Sequence, residues 1–588
     1  MKGFYHRILT VNLTERTFGI EALPDEAAKN YLGGKGLATC LLFERNPPGV
    51  DPFDPDNVVI FATGPVTGSS VWGSCRYGVF TKSPQTRFYT ESYSGGRVPE
   101  AIDSTGFDAV VIQGKSRLPT VLGVFPEGVE FHDAGNIWGM DTHSAEDAVH
   151  ERFGRPSGGP GRSGAVVIGP AGEKLVRFAV IENDYWRSAG RTGAGAVLGS
   201  KLLKAVLFHG DRKRPIYDSA ALREYAKQFA GEVKEHPGVK AYKSMGTPQM
   251  VKVMNMANAF PTRYWAEGRF DRWEKISAEA LHSRFDVIPH ACLKCFMACG
   301  RMSTVREGRH AGLRIEGPEY ETIYAFGGLC LIDSLEEIAY LNDICDRLGM
   351  DTISAGNLCA FAIEAARRNR IDYRIDYGDS DAVARLLEMI SGREGIGDIL
   401  AEGIRHAAAQ WGLEDMAVHV KGLEPAGYDP RVLKGMGLGY ATSDRGACHL
   451  RATFYKPELA GMIPPGQVEN KAELFIDFED RLTLFDTLIL CRFYRDFYPW
   501  DEIRQVIAMV TGMDLNESDL RKKAASICTL VRRFNLREGL QPGDDRLPAR
   551  LHRELEKTGH RITTDELEYM LRDYYLLRGW DEQGIPGD

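Results

Sequence analysis

Short runs of mostly apolar residues recur through the first third of the chain. The runs are rich in β-branched and aromatic residues and are separated by Gly, Pro and Asp, which is typical of strands joined by turns. Examples are Val58-Val-Ile-Phe-Ala, Tyr77-Gly-Val-Phe-Thr, Ala109-Val-Val-Ile-Gln and Val121-Leu-Gly-Val-Phe. This part of the sequence therefore predicts a domain made mostly of β-strands.

The spacing of apolar residues becomes helical after Asp211-Arg-Lys-Arg-Pro215. It stays helical in the runs that begin at Ala221 and Leu335, and on to the stretch from Leu551 to Leu577. At 588 residues the chain is too long for one hydrophobic core. We predict an α+β protein, with an N-terminal β-rich domain of two packed sheets over residues 1–211, followed by two mainly α-helical domains over 212–419 and 420–588.

Composition and charge exclude several classes of protein. The formal net charge of −9 argues against nucleic acid as a partner. There is no apolar run long enough to span a bilayer, and the alternating pattern near the N-terminus is not that of a signal peptide. The eleven cysteines, an odd number, fit metal-binding thiols in a reducing compartment better than a disulfide framework. We expect a cytoplasmic protein.

Three closely spaced cysteines are the strongest chemical signal, in the run His290-Ala-Cys292-Leu-Lys-Cys295-Phe-Met-Ala-Cys299-Gly-Arg301. Thiolates spaced two and then three residues apart can hold three irons of a 4Fe–4S cluster from one tight loop, with a fourth cysteine from elsewhere in the fold. A zinc site is the main alternative, although zinc sites usually pair two such hooks and no second hook follows. Buried, inert thiols are the third possibility.

Two glycine- and arginine-rich segments are typical of a phosphate-binding cradle. One is Gly73-Ser-Cys-Arg76-Tyr-Gly-Val, followed by Ser94-Gly95-Gly96; the other runs from Arg187 to Lys201. Glycines let backbone N–H groups approach a ligand, and arginines supply forks that match phosphate. A dinucleotide fingerprint fits the second segment poorly, because its glycines are spaced Gly-x-Gly-x-x-x-Gly and begin well after the preceding strand. A purely structural turn is about as good an interpretation of this segment alone.

Two similar hexads end predicted helices, Asp346-Arg-Leu-Gly-Met-Asp351 and Asp486-Thr-Leu-Ile-Leu-Cys491. A carboxylate near a helix C-terminus is unfavourable with the helix dipole and is better placed if it accepts hydrogen bonds from a ligand. A solvated aspartate is the simpler interpretation of either hexad alone. The two together, one ending in cysteine, favour ligand binding.

The whole chain resembles the aldehyde ferredoxin oxidoreductase family, tungsten enzymes with a bis-pyranopterin cofactor. The resemblance runs from Arg7-Ile-Leu-Thr-Val-Asn-Leu-Thr to Leu576-Leu-Arg-Gly-Trp-Asp-Glu-Gln-Gly-Ile-Pro586. Between these ends it includes Ala62-Thr-Gly-Pro-Val-Thr-Gly, Glu316-Gly-Pro-Glu-Tyr-Glu-Thr, Tyr428-Asp-Pro-Arg431 and Gly437-Leu-Gly-Tyr-Ala-Thr-Ser-Asp-Arg-Gly-Ala-Cys-His449.

The resemblance implies a tungstopterin at the interface between the domains, a 4Fe–4S cluster, and a Mg²⁺ that bridges the pterin phosphates. Cys292, Cys295 and Cys299 match the cluster loop, and Cys491 matches the fourth ligand. The magnesium ligands are main-chain carbonyls at positions that match Tyr93, where the family usually has Asn, and Ser188. Arg76 matches an arginine between cluster and pterin. The other pterin- or phosphate-contacting positions match Gly95, Arg187, Ser188, Gly190, Arg191, Asp346, Met350, Asp351, Arg445, Arg451, Asp486 and Arg492.

The resemblance also implies the chemistry, which is the oxidation of an aldehyde to a carboxylic acid, reversible in principle. Glu321 matches a carboxylate that faces the metal and accepts a proton, and His449 matches an imidazole that donates a hydrogen bond to the carbonyl oxygen. Electrons leave through the cluster to ferredoxin or to an iron–sulfur partner subunit. The region from Met250 to Trp273, with Phe260 and Trp265, is expected to line the substrate pocket in part, with ordinary helical packing as an equal alternative.

Two alternatives and two departures from the family remain. The chain is alternatively an aryl-CoA reductase-type catalytic subunit, or a cofactor-bearing electron-transfer subunit of a larger redox complex. Ile489 stands where the family usually has Gly. Tyr340 and Asp343 replace the Glu-x-x-His pair through which family homodimers share a metal, so homo- and hetero-oligomers both remain open.

Overall fold

The computed structural model describes residues 1–154 and 161–587. Twelve strands lie within the described part of residues 1–210 and form two six-stranded sheets, in the orders β2-β1-β6-β3-β4-β5 and β11-β10-β9-β12-β7-β8. Their bounds are β1 Arg7–Asn12, β2 Thr17–Ala22, β3 Val59–Ala62, β4 Tyr77–Lys82, β5 Tyr89–Ser94, β6 Ala109–Gln113, β7 Thr120–Phe125, β8 Gly128–Asp133, β9 Arg162–Val167, β10 Ile181–Asn183, β11 Arg187–Ala189 and β12 Leu203–Gly210.

The two sheets pack face to face, as the sequence predicted. The pairs β1–β6 and β7–β12 are parallel, and the other neighbours are antiparallel. Leu9 and Val11 of β1 project into the same core as Val206 and Phe208 of β12. Because successive side chains of a strand point to opposite faces, Ile8 faces the other way and packs under helices instead.

Helices cover the outer faces of both sheets. The N-terminal domain contributes α1 Asp25–Tyr31, α2 Gly34–Arg45, α3 Val98–Ser104, α4 Thr142–Phe153, α5 Pro170–Glu173 and α6 Ala194–Ser200. Leu37 and Leu41 of α2 pack on the first sheet beside Val531 and Phe534, which come from a helix near the other end of the chain. The β-rich domain therefore shares its core with the last third of the sequence.

The rest of the described chain is mainly helical and has a large core and a second, smaller one. Its α-helices are α7 Ser219–Val233, α8 Pro237–Met245, α9 Gln249–Met256, α10 Ala278–Arg284, α11 Tyr320–Thr322, α12 Leu335–Leu348, α13 Thr352–Arg367, α14 Ser380–Gly392, α15 Ile396–Ala401, α16 Ile404–Trp411, α17 Lys434–Thr442, α18 Tyr455–Leu459, α19 Lys471–Leu488, α20 Trp500–Thr511, α21 Glu517–Arg537, α22 Ala549–His552 and α23 Thr564–Arg578. A π-helical turn, Ile323–Leu329, follows α11, and short 3₁₀ turns lie at Trp273–Ile276, Arg492–Tyr494 and Pro542–Asp544.

One detail was not predicted. A three-stranded antiparallel sheet, β13 Phe285–His290, β14 Gly300–Val305 and β15 Arg314–Glu316, lies within the helical part. The stretch from Leu551 to Leu577 is mainly helical as expected, and it contains the end of α22 and most of α23, joined by a turn in which Lys557 and Gly559 have positive φ angles of 71° and 68°.

The domain boundaries stay a prediction, and the elements are compatible with them. β12 ends at Gly210 and α7 begins at Ser219, so residue 211 lies in a connection. Residue 419 lies between α16 and α17, in a long irregular segment that also contributes to the site described below. No helix in the described ranges is long and apolar enough to cross a membrane.

Candidate functional site

A cavity of about 370 Å³ lies where the β-rich domain meets the helical part. That volume is in the range of small-molecule sites. Its walls come from the ends of β5 and β11, from the loops around α8, α9 and α11, and from the end of α19. Eight of the predicted site residues line it: Arg76, Tyr93, Ser188, Glu321, His449, Asp486, Cys491 and Arg492.

The three clustered cysteines lie in the turn of a β-hairpin. Strands β13 and β14 pair up to His290 and Gly300, so residues 291–299 form the connection. A single residue of the β-rich domain then joins this turn to the fourth cysteine: the Gly73 N–H donates to the carbonyl of Lys294 at 2.8 Å, and the Cys491 N–H donates to the carbonyl of Gly73 at 2.8 Å. Three distant segments of the chain are thereby held around one thiol pocket.

The electrostatics of this pocket favour thiolates, the form that binds metals. The neighbouring Cys75 thiol, with Arg187 and Arg76, lowers the pKa of Cys292 to about 5 although burial opposes this. Cys75 and Arg76 likewise hold the pKa of Cys491 well below its usual value. The Arg76 guanidinium donates to the Cys491 sulfur at 3.4 Å. Burial instead raises the pKa of Cys299, as expected for a thiol that lacks such a donor.

Cys75 is a member of this pocket that the sequence analysis quoted but did not single out. Its thiol contacts those of Cys292, Cys295 and Cys491, and these contacts raise its own pKa. It therefore stays protonated and can donate its one S–H hydrogen to any one of these three sulfurs. The only signal in the sequence was its position directly before Arg76.

Gly95 is the point where the β-rich domain approaches the thiol pocket most closely. A Cβ atom at this position would lie 2.8 Å from the Cys292 sulfur and 3.0 Å from Arg76 Nη1. A side chain at this position would therefore displace the Cys292 sulfur or the Arg76 guanidinium.

The thiols do not form a preformed site for one ion. Within residues 1–154 and 161–587, no group of three or more His, Cys, Asp or Glu side chains is arranged to hold a single metal ion. A zinc site needs four ligands at about 2.0–2.3 Å from one centre.

The second hexad, at the end of α19, forms part of the cavity wall. Helix α19 ends at Leu488, and Ile489 follows in the left-handed conformation with φ 64° and ψ 40°. Glycine adopts this conformation without strain, whereas a β-branched residue does not, which explains why the family usually has Gly here. The Ile489 side chain is fully buried, so packing offsets the strain.

Asp486, one turn before this point, is surrounded by arginines. It accepts hydrogen bonds from Arg492 and, at 3.3 Å, from Arg451. Arg451 also pairs with the buried Glu91, which accepts from Lys35 at 3.2 Å. The unfavourable carboxylate at the helix end is thus neutralised within the protein, and it positions the two arginines.

The first hexad contacts the β-rich domain at Ala179 and Val180. Helix α12 ends at Leu348, and the Val180 N–H donates to the carbonyl of Gly349 at 3.0 Å. Met350 is buried and bridges to Ala179. Asp351 begins α13, accepts from the N–H groups of Ile353 and Ser354, and pairs with Arg191 at 3.2 Å.

Asp346 forms no ion pair within the described residues. Its carboxylate accepts from the Asn342 amide at 2.6 Å, and its main-chain carbonyl accepts from the Thr142 hydroxyl at 2.8 Å. Burial, together with Asp343 and Glu316, raises its pKa well above the usual value. It does not line the cavity.

Several buried arginine donors lack partners, and they fit an anionic ligand. Within the described residues, Nε and Nη2 of Arg451, Nε of Arg492 and Nε of Arg187 make no hydrogen bond. The guanidinium groups of Arg451 and Arg492 lie 6.0 and 5.4 Å from the ring centroid of Tyr93. Buried donors are normally satisfied, so an anionic ligand would complete this region.

Three further predicted cofactor-contacting residues are Arg191, Arg445 and Gly190. The two arginines bond within the protein, and Gly190 has few neighbours. Arg191 donates to the carbonyls of Ala447 and Glu424 at 3.2 and 2.6 Å, and Arg445 holds the Cys448 sulfur at 3.1 Å. Around Gly190 only the Ser188 side chain comes near. Arg191, Arg445 and Gly190 lie outside the lining of the cavity.

The two predicted acid–base residues face each other inside the cavity. His449 Nε2 lies 3.5 Å from Glu321 Oε1. Glu321 Oε2 accepts from the Gly427 N–H at 3.0 Å, while within the described residues Oε1 and His449 Nδ1 have no hydrogen-bond partner. Burial raises the pKa of Glu321 to about 7. Burial, followed by Arg191 and Arg445, lowers the pKa of His449 well below its usual value, so the imidazole is neutral.

The expected substrate wall is only partly right. Met250 lines the cavity, but Phe260 and Trp265 are fully buried in the helical core and do not reach it. The aromatic wall comes from other elements, which the sequence analysis missed: Tyr242, Tyr320, Tyr428, Tyr455 and Phe493.

The two positions where a shared metal was doubtful are engaged within the chain. The Tyr340 ring stacks on His310 with centroids 4.3 Å apart. Asp343 pairs with Arg347 at 2.9 Å. Neither arrangement resembles a metal site.

Comparison with known proteins agrees with the fold and the site. Residues 8–210 match the family model described as the N-terminal domain of aldehyde ferredoxin oxidoreductase, and residues 224–588 match the one described as its domains 2 and 3. The protein is an oxidoreductase that belongs to the aldehyde ferredoxin oxidoreductase family.

Individual relatives cover the full chain. The tungsten-containing aldehyde ferredoxin oxidoreductase of Pyrococcus furiosus is 36% identical, over 100% of this chain and 98% of its own length, and that of Thermococcus kodakarensis has the same values. An aliphatic sulfonate oxidoreductase, WOR-like subunit, of P. furiosus is 28% identical over 100% of this chain and 96% of its own. Among solved structures, the active-site complex BamBC of benzoyl coenzyme A reductase with 1,5-dienoyl-CoA matches with a TM-score of 0.84 at 24% identity, over 100% of this chain and 96% of that one. At that identity the last match supports the fold alone.

Proposed function

We propose that this protein oxidises aldehydes to carboxylic acids with a tungstopterin cofactor, and passes the electrons through a 4Fe–4S cluster to an iron–sulfur carrier. One observation carries the proposal: a single cavity is lined both by the Glu321–His449 pair and by Cys491, which also belongs to the thiol pocket. Substrate chemistry and electron exit are thereby adjacent. The names of the tungsten-containing relatives support the same reaction.

The cofactor would supply the two-electron redox chemistry, while the protein orients the substrate and moves protons. Arg451, Arg492 and Arg187 would hold its phosphates with the donors that now lack partners. A Mg²⁺ between those phosphates would take the main-chain carbonyls of Tyr93 and Ser188, both of which line the cavity.

Glu321 and His449 divide the proton chemistry between them. With a pKa of about 7, the Glu321 carboxylate can accept a proton at Oε1 near neutral pH and release it again. The neutral His449 ring donates through Nε2 to the aldehyde oxygen and stabilises the charge that develops there. The 3.5 Å between them leaves each free to contact substrate.

The aryl-CoA reductase alternative lacks a supporting feature. It calls for a cysteine that binds the metal, yet of the cysteines in the described chain only Cys491 lines the cavity. Cys448, beside His449, is held by Arg445 instead. The electron partner remains part of the proposal, because relatives include both ferredoxin-named enzymes and a protein named as a subunit.

The composition of the purified protein tests the proposal directly. Isolated without oxygen, it should contain about one tungsten, or molybdenum in its place, and about four irons per chain. It should reduce a viologen dye with a panel of aldehydes. Zinc in place of iron would contradict the cluster, and a fully metallated protein that oxidises no aldehyde would contradict the reaction. Gel filtration of the native protein would show whether a partner subunit accompanies it.

The pH dependence of the reaction gives an independent check on Glu321. A general base must be deprotonated, so kcat/KM should rise with pH and level off above the pKa of the free enzyme. Burial raises the pKa of Glu321 to about 7, so the rise should centre near neutral pH rather than near pH 4. A profile that is already flat from pH 5 upward would show that no group of this pKa limits the reaction.

A further inference from the structure

The cavity contains one arginine that belongs neither to the thiol pocket nor to the phosphate cradle. Arg495 is 2% exposed and lines the cavity. Its Nη1 donates to the carbonyl of Arg492 at 2.7 Å, but Nε and Nη2 have no hydrogen-bond partner in the part of the chain that the structure describes. A buried cation with two free donors is unfavourable unless a ligand accepts from them.

Arg495 forms a long ion pair that does not engage its free donors in a hydrogen bond. Asp496 Oδ1 lies 3.9 Å from its Nε, is 48% exposed, and also pairs with Lys456 at 3.3 Å. Burial alone would lower the pKa of Arg495, but Tyr455, Asp496 and Tyr242 outweigh burial and hold that pKa above its usual value. The guanidinium is therefore charged at every working pH.

Stacked aromatic side chains line the cavity between the pair Glu321–His449 and the Arg495 guanidinium. The Tyr428 ring stacks on His449 with centroids 5.6 Å apart, and on Tyr455 with centroids 4.0 Å apart. Arg495 lies beyond, next to Tyr455 and Tyr242. The arginines of the phosphate cradle lie instead against Tyr93. A molecule along the wall would have one end at Glu321 and His449 and the other at Arg495.

We propose that Arg495 binds an anionic group at the far end of the substrate, so that the preferred substrates are aldehydes with a remote carboxylate on a flat spacer. The aldehyde lies at Glu321 and His449, the spacer packs on Tyr428 and Tyr455, and the carboxylate accepts from Nε and Nη2 of Arg495. This inference rests on the proposed aldehyde oxidation and names its substrate class.

The contact between Arg495 and the remote carboxylate can be measured as the ratio of kcat/KM for 4-carboxybenzaldehyde to that for benzaldehyde. The wild-type protein should favour the carboxylated aldehyde. In Arg495→Gln this ratio should fall about ten- to a hundredfold, the range for a lost hydrogen bond to a charged group. Arg495→Lys should retain part of the preference, because it keeps the charge but not the fork.

Lys456→Gln is the matched control. Lys456 shares Asp496 with Arg495 and lies over the Tyr242 ring at 5.7 Å, but it does not line the cavity. Its substitution removes the same charge from the same region and should change the ratio less than threefold, as a screened charge would. An equal fall in both variants would mean a general field rather than a binding contact, and would overturn the proposal.

Product inhibition of the wild-type protein gives a second measure that needs no variant to fold. Terephthalate should inhibit at least tenfold more tightly than benzoate, because only terephthalate has a second carboxylate for Arg495. Equal inhibition, or an unchanged substrate ratio in Arg495→Gln, would refute the role of Arg495 while aldehyde oxidation stands. Failure to oxidise either aldehyde would refute the proposed function itself.

Discussion

Glu321→Gln should lower aldehyde turnover about a hundred- to ten-thousand-fold, the usual cost of losing a general base. The amide keeps the shape of the side chain and can still accept from the Gly427 N–H through its oxygen. It cannot take up a proton near neutral pH. Anaerobic steady-state assays, with tungsten and iron determined on the same sample, measure the effect at normal metal content.

Glu319→Gln serves as the control in the same cavity, and His449→Asn serves as a comparison. Glu319 also lines the cavity, but its carboxylate accepts from Thr247 and does not face His449. Glu319→Gln should therefore cost less than about tenfold, whereas His449→Asn should fall between the two because it removes only a hydrogen bond to the substrate. Near wild-type turnover by a fully metallated Glu321→Gln variant would remove Glu321 from the mechanism.

The sequence predicted the β-rich domain well because several of its strands, such as β3, β4, β7 and β12, are buried on both faces. Val206 and Phe208 of β12 face the opposite sheet, while Ala205 and Leu207 face α4, so the whole run is apolar. Strand β13 was not predicted, because it is not a buried apolar run. It is largely exposed and contains Pro289, which is unusual in strands other than those at edges.

The composition of the site was predicted less completely, because part of it depends on tertiary contacts. Cys292, Cys295 and Cys299 are adjacent in the chain, and their spacing alone indicates a metal. Cys75 enters the pocket only because Gly73 bonds to both Lys294 and Cys491, and no local pattern reports that.

The substrate wall shows the same limit. Tyr242, Tyr455 and Phe493 come from three segments and meet only at the cavity. Phe260 and Trp265 gave the stronger aromatic signal in the sequence but belong to the core. Aromatic density along a chain does not distinguish a cavity wall from a packed interior, since both require large apolar side chains.

Removal of the predicted fourth cysteine should lower cluster content as much as removal of a cysteine from the loop. Cys491→Ala should lower iron content and the visible cluster absorption as far as Cys295→Ala does, because each removes one of four thiolate ligands. Both thiols lie in the same pocket, and Arg76 bonds to the Cys491 sulfur at 3.4 Å. Iron analysis and low-temperature spectroscopy of the reduced protein measure the loss.

Cys75 makes this test sharper, because it is the thiol positioned to replace Cys491. Its sulfur contacts those of Cys292, Cys295 and Cys491, whereas Cys448 is held by Arg445 and Cys330 lies at the Gly356 carbonyl in the helical core. Cys75→Ala alone should keep its iron, since it removes an S–H donor and not a ligand. If Cys491→Ala keeps a full cluster and the double variant with Cys75→Ala loses it, then Cys75 serves as ligand when Cys491 is absent. A full cluster in that double variant would mean that Cys491 is not the fourth ligand.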